Sequence, residues 1–278
     1  MAVIHVGCDL AYEVTVPTSF LFNVAAAKTP FQIVLQENIE VWPKIGYTEI
    51  QLGAEGNRIF RLQTDAGPLK LNYWANVEMN PTVVNSPNIE ENVHRLLPDE
   101  VLPFLTPSRY CESDRLVQFA GQTFGHLSPG YSRVQAICNW IYEQLLYQPG
   151  CTDERTSACD VLIQRTGICR DYAHLAIALC RAMCIPARYV AGYAAELEPP
   201  DFHGFFEAYL GSRWYLFDAT RMAPVDGLVR IGTGRDAADA SFATIIGAAT
   251  MTRQVVWANR GANASPPQND SSAAVSTA

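Results

Sequence analysis

The sequence is short of charge, and the charge it has is unbalanced. Charged residues make up 17% of 278, with 20 Lys and Arg against 28 Asp and Glu, a formal net charge of −8. That balance argues against nucleic acid or an anionic membrane surface as a partner, because either polyanion would repel the chain. Long apolar runs are missing too, so no segment reads as a membrane span. The opening residues, MAVIHVGCDLAYEV, lack a basic stretch leading into an apolar one, the pattern of a secretory leader. A cytoplasmic, reduced protein is the expectation. No acidic block has the form of a calcium loop, and Gly232-Thr-Gly234 falls short of the three-glycine phosphate fingerprint. No His or Cys cluster completes a metal site, and no metal or cofactor is expected.

Cysteine, by contrast, is present eight times. The spacing is not that of a small disulfide scaffold, and secretion has no support. Cys180 and Cys184 lie four apart, a spacing metal ligands also use, but core packing is the better reading. With 49% hydrophobic residues the chain has material for a sizeable core, in one large domain or two modest ones.

The organisation changes near residue 100. Residues 1–100 read as all β, with strands expected at Leu10–Pro17, Ser19–Val24, Phe31–Trp42, Tyr47–Leu52, Asn57–Thr64 and Leu69–Met79. The last alternates most cleanly, Leu69, Leu71, Tyr73, Ala75, Val77 and Met79 being separated by mostly polar residues. A small sandwich or half-barrel with a scaffolding role is expected. A stretch carrying Pro81, Pro87, Pro98, Pro103 and Pro107 reads as the connection to a second domain, 101–260. That part opens with helical patterns. One spans Asp114 to Phe124; another is led by Ser128-Pro129 and runs to about Tyr147; a third starts at the capping-box-like Ser157-Ala-Cys-Asp160 and ends before Gly167. The tail from Gly261, GANASPPQNDSSAAVSTA, is low in complexity and is expected to be disordered.

Thr166 to Tyr193, TGICRDYAHLAIALCRAMCIPARYVAGY, is the most informative stretch. Ile168, Tyr172, Leu175, Ala176, Leu179 and Met183 fall on one helical face, Thr166 or Gly167 is placed to cap it, and Pro186 stops it. Cys169 then lies in the first turn, where unpaired N–H groups and the helix dipole favour thiolate over thiol. Downstream, His203 to Leu210 and Arg213 to Thr220 read as strands split by Gly211-Ser212, a two-residue hairpin signal. With that loop, Leu210 faces Arg213, Phe205 faces Asp218 and His203 faces Thr220. His203 and Asp218 then share a face as diagonal neighbours, their Cβ atoms roughly 7–8 Å apart. A thiolate, a histidine to keep it ionised and protonate a leaving amine, and a carboxylate to orient that histidine form a nucleophilic set. Arg170, Asp171 and His174 follow the cysteine on its own helix and are read as supporting residues.

The segments GICRDYAHLAIALCRAMCIPARYVAGY and FHGFFEAYLGSRWYLFDATR resemble the core of the bacterial transglutaminase-like superfamily, a papain-like group of cysteine enzymes. The resemblance is densest from about Tyr147 to Arg221, and the N-terminal part is loosely similar to the β domain that often precedes this core. It implies an α+β fold: a papain-like transglutaminase core, with the cysteine helix packed on an antiparallel sheet, behind an all-β domain. It also implies Cys169 as nucleophile, His203 as general base and acid, and Asp218 as the orienting carboxylate. Many members have Ala-Trp after the histidine where this chain has Gly204-Phe205, and D-P-T where it has Asp218-Ala219-Thr220. The expected activity is amide-bond hydrolysis on a peptide or protein substrate, by a peptidase or amidase, through a thioester. Amine transfer by a transglutaminase, and a non-catalytic binding module on the same fold, are the alternatives.

Overall fold

The computed structural model describes residues 2–53, 55–261 and 273–278. The N-terminal part is built from β1 (Ala2–Val14), β2 (Thr18–Phe22), β3 (Gln32–Trp42), β4 (Tyr47–Leu52), β5 (Asn57–Thr64), β6 (Gly67–Met79) and β7 (Thr82–Asn85). The second part follows with α1 (Val117–Phe124), α2 (Tyr131–Gln144), β8 (Leu146–Tyr147), α3 (Ala158–Gln164), β9 (Thr166–Gly167) and α4 (Cys169–Ala182). It continues as β10 (Ala187–Ala194), β11 (Phe202–Leu210), β12 (Arg213–Phe217) and β13 (Leu228–Gly234), and closes with β14 (Ala243–Ile246), β15 (Ala249–Arg260) and β16 (Ala273–Ser276). The fold is α+β, a helix-on-sheet core behind an all-β N-terminal unit.

Period-two alternation builds the N-terminal unit. Strand β6 buries Leu69, Leu71, Tyr73, Ala75, Val77 and Met79, as the sequence pattern predicts, and β1 does the same with Ile4, Val6, Cys8, Leu10, Tyr12 and Val14. Two four-stranded sheets result, ordered β15-β1-β6-β3 and β14-β2-β5-β4. Aromatic rings fill the space between them: Phe20 and Phe22 stack at 5.2 Å and Tyr12 leans on Phe20 at 5.2 Å. The first strand begins at Ala2, not Leu10 as expected. Gly7, inside this strand, sits under the Trp257 ring of β15, where a Cβ would lie 2.2 Å from the indole.

The core is arranged around α4. Every residue from Asp171 to Ala182 is buried, which makes this a central helix with no solvent face. Its alanines, Ala173, Ala176, Ala178 and Ala182, let the antiparallel sheet β12-β11-β10-β13 come close. Arg181 anchors the far end, donating from Nε to Ala187 O (3.0 Å) and from Nη1 to Thr106 O (3.0 Å). In the same sheet, buried Glu207 accepts from Arg188 Nε at 2.7 Å and from Arg230 Nη1 at 3.2 Å. Burial pushes that carboxyl up, yet the two guanidinium groups hold it below its ordinary range.

Three sequence expectations meet corrections here. Helix α2 starts at Tyr131 rather than at Ser128-Pro129, because Gly130 N–H donates to Glu91 Oε1 (3.0 Å) and Tyr131 N–H to Ile89 O (2.9 Å). These contacts satisfy the orphan donors that a serine cap would have taken. The tail is not disordered throughout: β16 pairs with β7, and Ala274, Val275, Ser276 and Thr277 are buried. Residues 262–272 of that expected disordered segment lie outside the described residues. Finally, β14 pairs with β2 and β15 with β1, so chain from within the 101–260 span completes both N-terminal sheets.

The two units share apolar packing and polar ties. Tyr193, Val229 and Ile231 of the core sheet join the cluster of the N-terminal sandwich. Tyr193 Oη donates to Val24 O (2.7 Å), and Gln32 and Arg230 exchange bonds of 2.8 Å in both directions. The sandwich thereby braces β10 and β13, and β10 is the direct neighbour of the strand that carries His203.

Candidate active site

Cys169 is the first residue of α4 and is partly exposed. The expected cap, Thr166 or Gly167, is replaced by Ile168, whose backbone is extended. Its N–H donates to Asp171 Oδ2 at 3.0 Å, and Thr152 Oγ1 donates to the same oxygen at 2.6 Å. Arg170 Nη2 lies 3.0 Å from Asp171 Oδ1 and offsets the carboxylate charge beside the thiol. The Arg-Asp pair after the cysteine therefore fixes the first turn of the helix without competing for the site.

His203 lies one residue inside β11 and is 2% exposed. The β11–β12 hairpin has the register its two-residue loop predicts: Leu210 pairs with Arg213 and Phe206 with Phe217. Gly211 (φ 52°) and Ser212 (φ 65°) both take positive φ, the requirement of a type I′ turn. Asp218 follows β12, and its Oδ2 is 2.8 Å from His203 Nε2. Its other oxygen accepts from Thr220 N (2.9 Å) and Thr220 Oγ1 (2.7 Å). The threonine of the D-x-T pattern is thus the group that aims the carboxylate, and the residue between them takes no part in those bonds.

Burial alone would lower the His203 pKa, but the Asp218 charge and hydrogen bond, with a smaller contribution from Cys169, raise it to about 10. Asp218 moves the other way: burial pushes it up, and His203 and Thr220 outweigh that and hold it below its ordinary range. The pair therefore favours an imidazolium against a carboxylate. With Nε2 turned to Asp218, Nδ1 is the nitrogen left for Cys169, which interacts electrostatically with His203. His174, further along α4, is fully buried, and its Nε2 accepts from Ala237 N–H at 3.1 Å. Burial holds it well below the ordinary histidine pKa, so it is a neutral support and not a base.

Two tyrosines join this group that sequence reasoning passed over. The sequence pattern carries a helix to about Tyr147; α2 stops at Gln144, and Tyr147 instead pairs in parallel with Gly167, two residues before the cysteine. Its hydroxyl interacts electrostatically with Cys169. A two-residue parallel bridge leaves no periodic trace, so no pattern could have found it. Tyr189, on β10, is 6% exposed and interacts electrostatically with Cys169. A Cβ on Gly204 would lie 2.5 Å from the Tyr189 hydroxyl. The glycine after the histidine is thus matched to a tyrosine across the strand pair.

Gln254 of β15 donates to Asp201 Oδ1 (2.6 Å), tying the loop before His203 to the N-terminal sheet. A separate cavity of about 630 Å³, lined by Trp42, Tyr47, Lys70 and Arg253 among others, belongs to the N-terminal strands and includes none of Cys169, His203 or Asp218. All eight cysteines are free. Burial raises the thiols of Cys111, Cys138 and Cys180, and that of Cys8 to about 12. Cys184, expected to pack in the core with Cys180, is exposed beyond the end of α4. No group of three or more potential metal ligands occurs among the described residues.

Comparison with known proteins matches residues 117–219 to the transglutaminase-like superfamily and residues 3–97 to the bacterial transglutaminase N-terminal domain. A Cytophaga hutchinsonii protein of known crystal structure, described as a candidate cysteine protease, is 42% identical. It superposes with a TM-score of 0.95 over 99% of this chain and 97% of its own. An uncharacterized protein of Mycobacterium leprae is 28% identical over 176 residues, 57% of this chain and 63% of that one. An uncharacterized Mycobacterium tuberculosis protein is 30% identical over 142 residues, 46% of this chain and 45% of its own length. The chain thus spans about half to two thirds of these curated relatives.

Proposed function

Because the chain belongs to the transglutaminase-like superfamily, we propose that it is a cysteine-dependent amide-bond hydrolase, a peptidase or amidase, working through a thioester on Cys169. The observation that carries the reading is the 2.8 Å contact between buried His203 and Asp218, with Cys169 interacting electrostatically with the same imidazole from a helix N-terminus.

The Cys169 thiolate attacks the amide carbon, a C–S bond forms, and the carbonyl π pair moves onto oxygen. When that pair returns, the C–N bond breaks with its electrons on nitrogen, and the His203 imidazolium gives its proton to the departing amine. Neutral His203 then takes a proton from water as the water attacks the thioester, the C–S bond breaks, and thiolate and acid product are released. Asp218 keeps Nε2 hydrogen-bonded, so the working nitrogen stays pointed at sulfur, and it stabilises the imidazolium in each half-reaction. A peptide or protein is the proposed substrate class, in a reduced compartment where the free thiol survives.

The test is turnover of a mixture of fluorogenic peptide amides by wild type and Cys169→Ala, with and without excess primary amine. Hydrolysis lost in Cys169→Ala is the expected result. Equal hydrolysis by both would overturn the thiol mechanism, and an amine-linked product outpacing hydrolysis would make the protein an amine transferase.

A further inference from the structure

The outer face of the sheet β15-β1-β6-β3 is not built like an ordinary solvent face. Its strands turn their apolar set inward, so the alternate residues point out, and the register aligns them in rows across the sheet. One row runs Trp257, Gly7, Trp74 and Asn38, and another places Trp42 beside Lys70. Three of the chain's five tryptophans thus lie on one face, with Trp74 37% and Trp42 56% exposed. Any polar residue would satisfy an outward position, and a large apolar ring left in water forgoes the gain of burial. Between the indoles, polar groups hold one another in place. His5 Nδ1 is 2.6 Å from Asn76 Oδ1, and Asn76 Nδ2 donates to Gln36 Oε1 (3.1 Å). Asn38 Nδ2 donates to Glu40 Oε1 (3.0 Å), and Asn72 Nδ2 to Asp9 Oδ1. These bonds fix the planes of the groups and use one oxygen each of Asp9 and Glu40. At the Trp42 end the face sinks into the cavity of about 630 Å³, which takes in Trp42, Lys70, Asn72, Asp9 and Glu40. That volume is within the range of about 300–1,000 Å³ for small-molecule sites.

We infer that this face is a binding site for an uncharged, β-linked oligosaccharide. A pyranose with equatorial substituents has a C–H face, which stacks on an indole, and a rim of hydroxyls, which bonds to fixed amides and carboxylates. The charge fits a neutral ligand: across the rows from His5 to Ala11, Asp9 and Glu40 balance Lys70 and Arg253, two against two, on a chain of net charge −8. Neither a polyanion nor a polycation finds a complementary field there. Trp42 and Trp74 lie one strand apart and four residues along, about 14 Å, the reach of a short chain of sugars rather than one ring. The line between them runs nearly parallel to the strands, which suits a straight β-linked chain and not the coiled path of an α-linked one. A peptide is the poorer match. It would recognise a sheet through the main-chain groups of an open edge, and a face presents side chains only.

The inference is independent of the thioester reading, because none of Cys169, His203 and Asp218 belongs to this face. The test is calorimetric titration of the full chain, with tryptophan fluorescence in parallel, using cellohexaose, chitohexaose, maltohexaose and decaproline. Saturable binding of cellohexaose or chitohexaose with a change in indole emission is the expected result, and maltohexaose should bind at least about 10-fold more weakly. Trp42→Ala and Trp74→Ala should each weaken the β-linked ligand by at least about 10-fold. Trp74→Phe, which keeps a ring and the packing of the strand, should retain part of the affinity and so separates a lost contact from a lost fold. Cys169→Ala should bind as wild type does. Absence of binding by both β-linked hexasaccharides would overturn the assignment, as would full affinity in the two alanine variants. Equal affinity for maltohexaose would overturn the straight-chain geometry. Binding of decaproline in place of the sugars would make the face a peptide platform, and loss of sugar binding in Cys169→Ala would move the ligand to the catalytic cleft; either result contradicts the inference.

Discussion

Replacing Gly204 with alanine introduces one methyl group at a point where the strand pair has no space. The new Cβ would lie 2.5 Å from the Tyr189 hydroxyl oxygen and 3.1 Å from Cε2 and Cζ of the same ring. Contacts near 2.5 Å are not relieved by small adjustments. Tyr189 cannot swing away freely, being 6% exposed with its ring 5.3 Å from His174. Gly204 cannot move alone either, since it pairs with Ala191 inside the β10–β11 ladder. Overpacking of this kind costs about 1–3 kcal/mol. For a chain of this size a cost of about 2 kcal/mol lowers Tm by about 4–8 °C. The cause can be separated from a general strand effect by adding Tyr189→Phe, which removes the 2.5 Å contact and leaves the 3.1 Å ones. The double variant should recover about half the loss, giving a coupling near 1 kcal/mol in a denaturant-based cycle. Because the clash bears on the residue after His203, the single variant should also slow alkylation of Cys169. A Gly204→Ala protein with wild-type stability, or one whose loss Tyr189→Phe leaves untouched, would refute the steric argument.

Other perturbations have equally definite outcomes. Asp218→Asn keeps the shape of the carboxylate but removes the charge that raises His203, so the imidazolium should deprotonate at lower pH. The alkaline limb of kcat/KM should therefore move down from about 10, with activity falling by about 100-fold or more; an unmoved limb would show that Asp218 does not set the pKa. The raised His203 pKa also contributes stability that is complete below the unfolded value near 6.5 and is lost as pH rises through about 10. Denaturant midpoints should decline over that window in wild type and less steeply in His203→Gln. Glu207→Ala leaves Arg188 and Arg230 buried without their shared carboxylate and should cost about 3–5 kcal/mol by chemical denaturation.

Local patterns exposed much of this architecture in advance, and the reasons are specific. The alternation of β6 is visible because one face of the pattern is apolar and the register follows directly. The hairpin between β11 and β12 is visible because two residues form its turn, and that turn fixes which residues face each other. Cys169, His203 and Asp218 could be named because the segments around them also resemble a family. What escaped depends on distant chain. Glu91 and Ile89 decide where α2 starts, β14 and β15 return to sheets opened by the first residues, and Val275 finds its cover in Phe205 and Leu216. A segment such as Ala273–Ser276 looks featureless in sequence, since four small residues carry no periodic signal. Tyr147 and Tyr189 escaped for the same reason: their relation to Cys169 exists only once β8 meets β9 and β10 passes beneath Gly204.

The central claim is that Cys169 is a nucleophile activated by His203. Brief, limiting alkylation with iodoacetamide at neutral pH, followed by peptide mass mapping of all eight cysteines, tests it most directly. Cys169 should label at least about 10-fold faster than any other thiol, including the exposed Cys184, and the advantage should collapse in His203→Gln. Equal labelling of Cys169 and Cys184, or a rate at Cys169 indifferent to the loss of His203, would contradict the account.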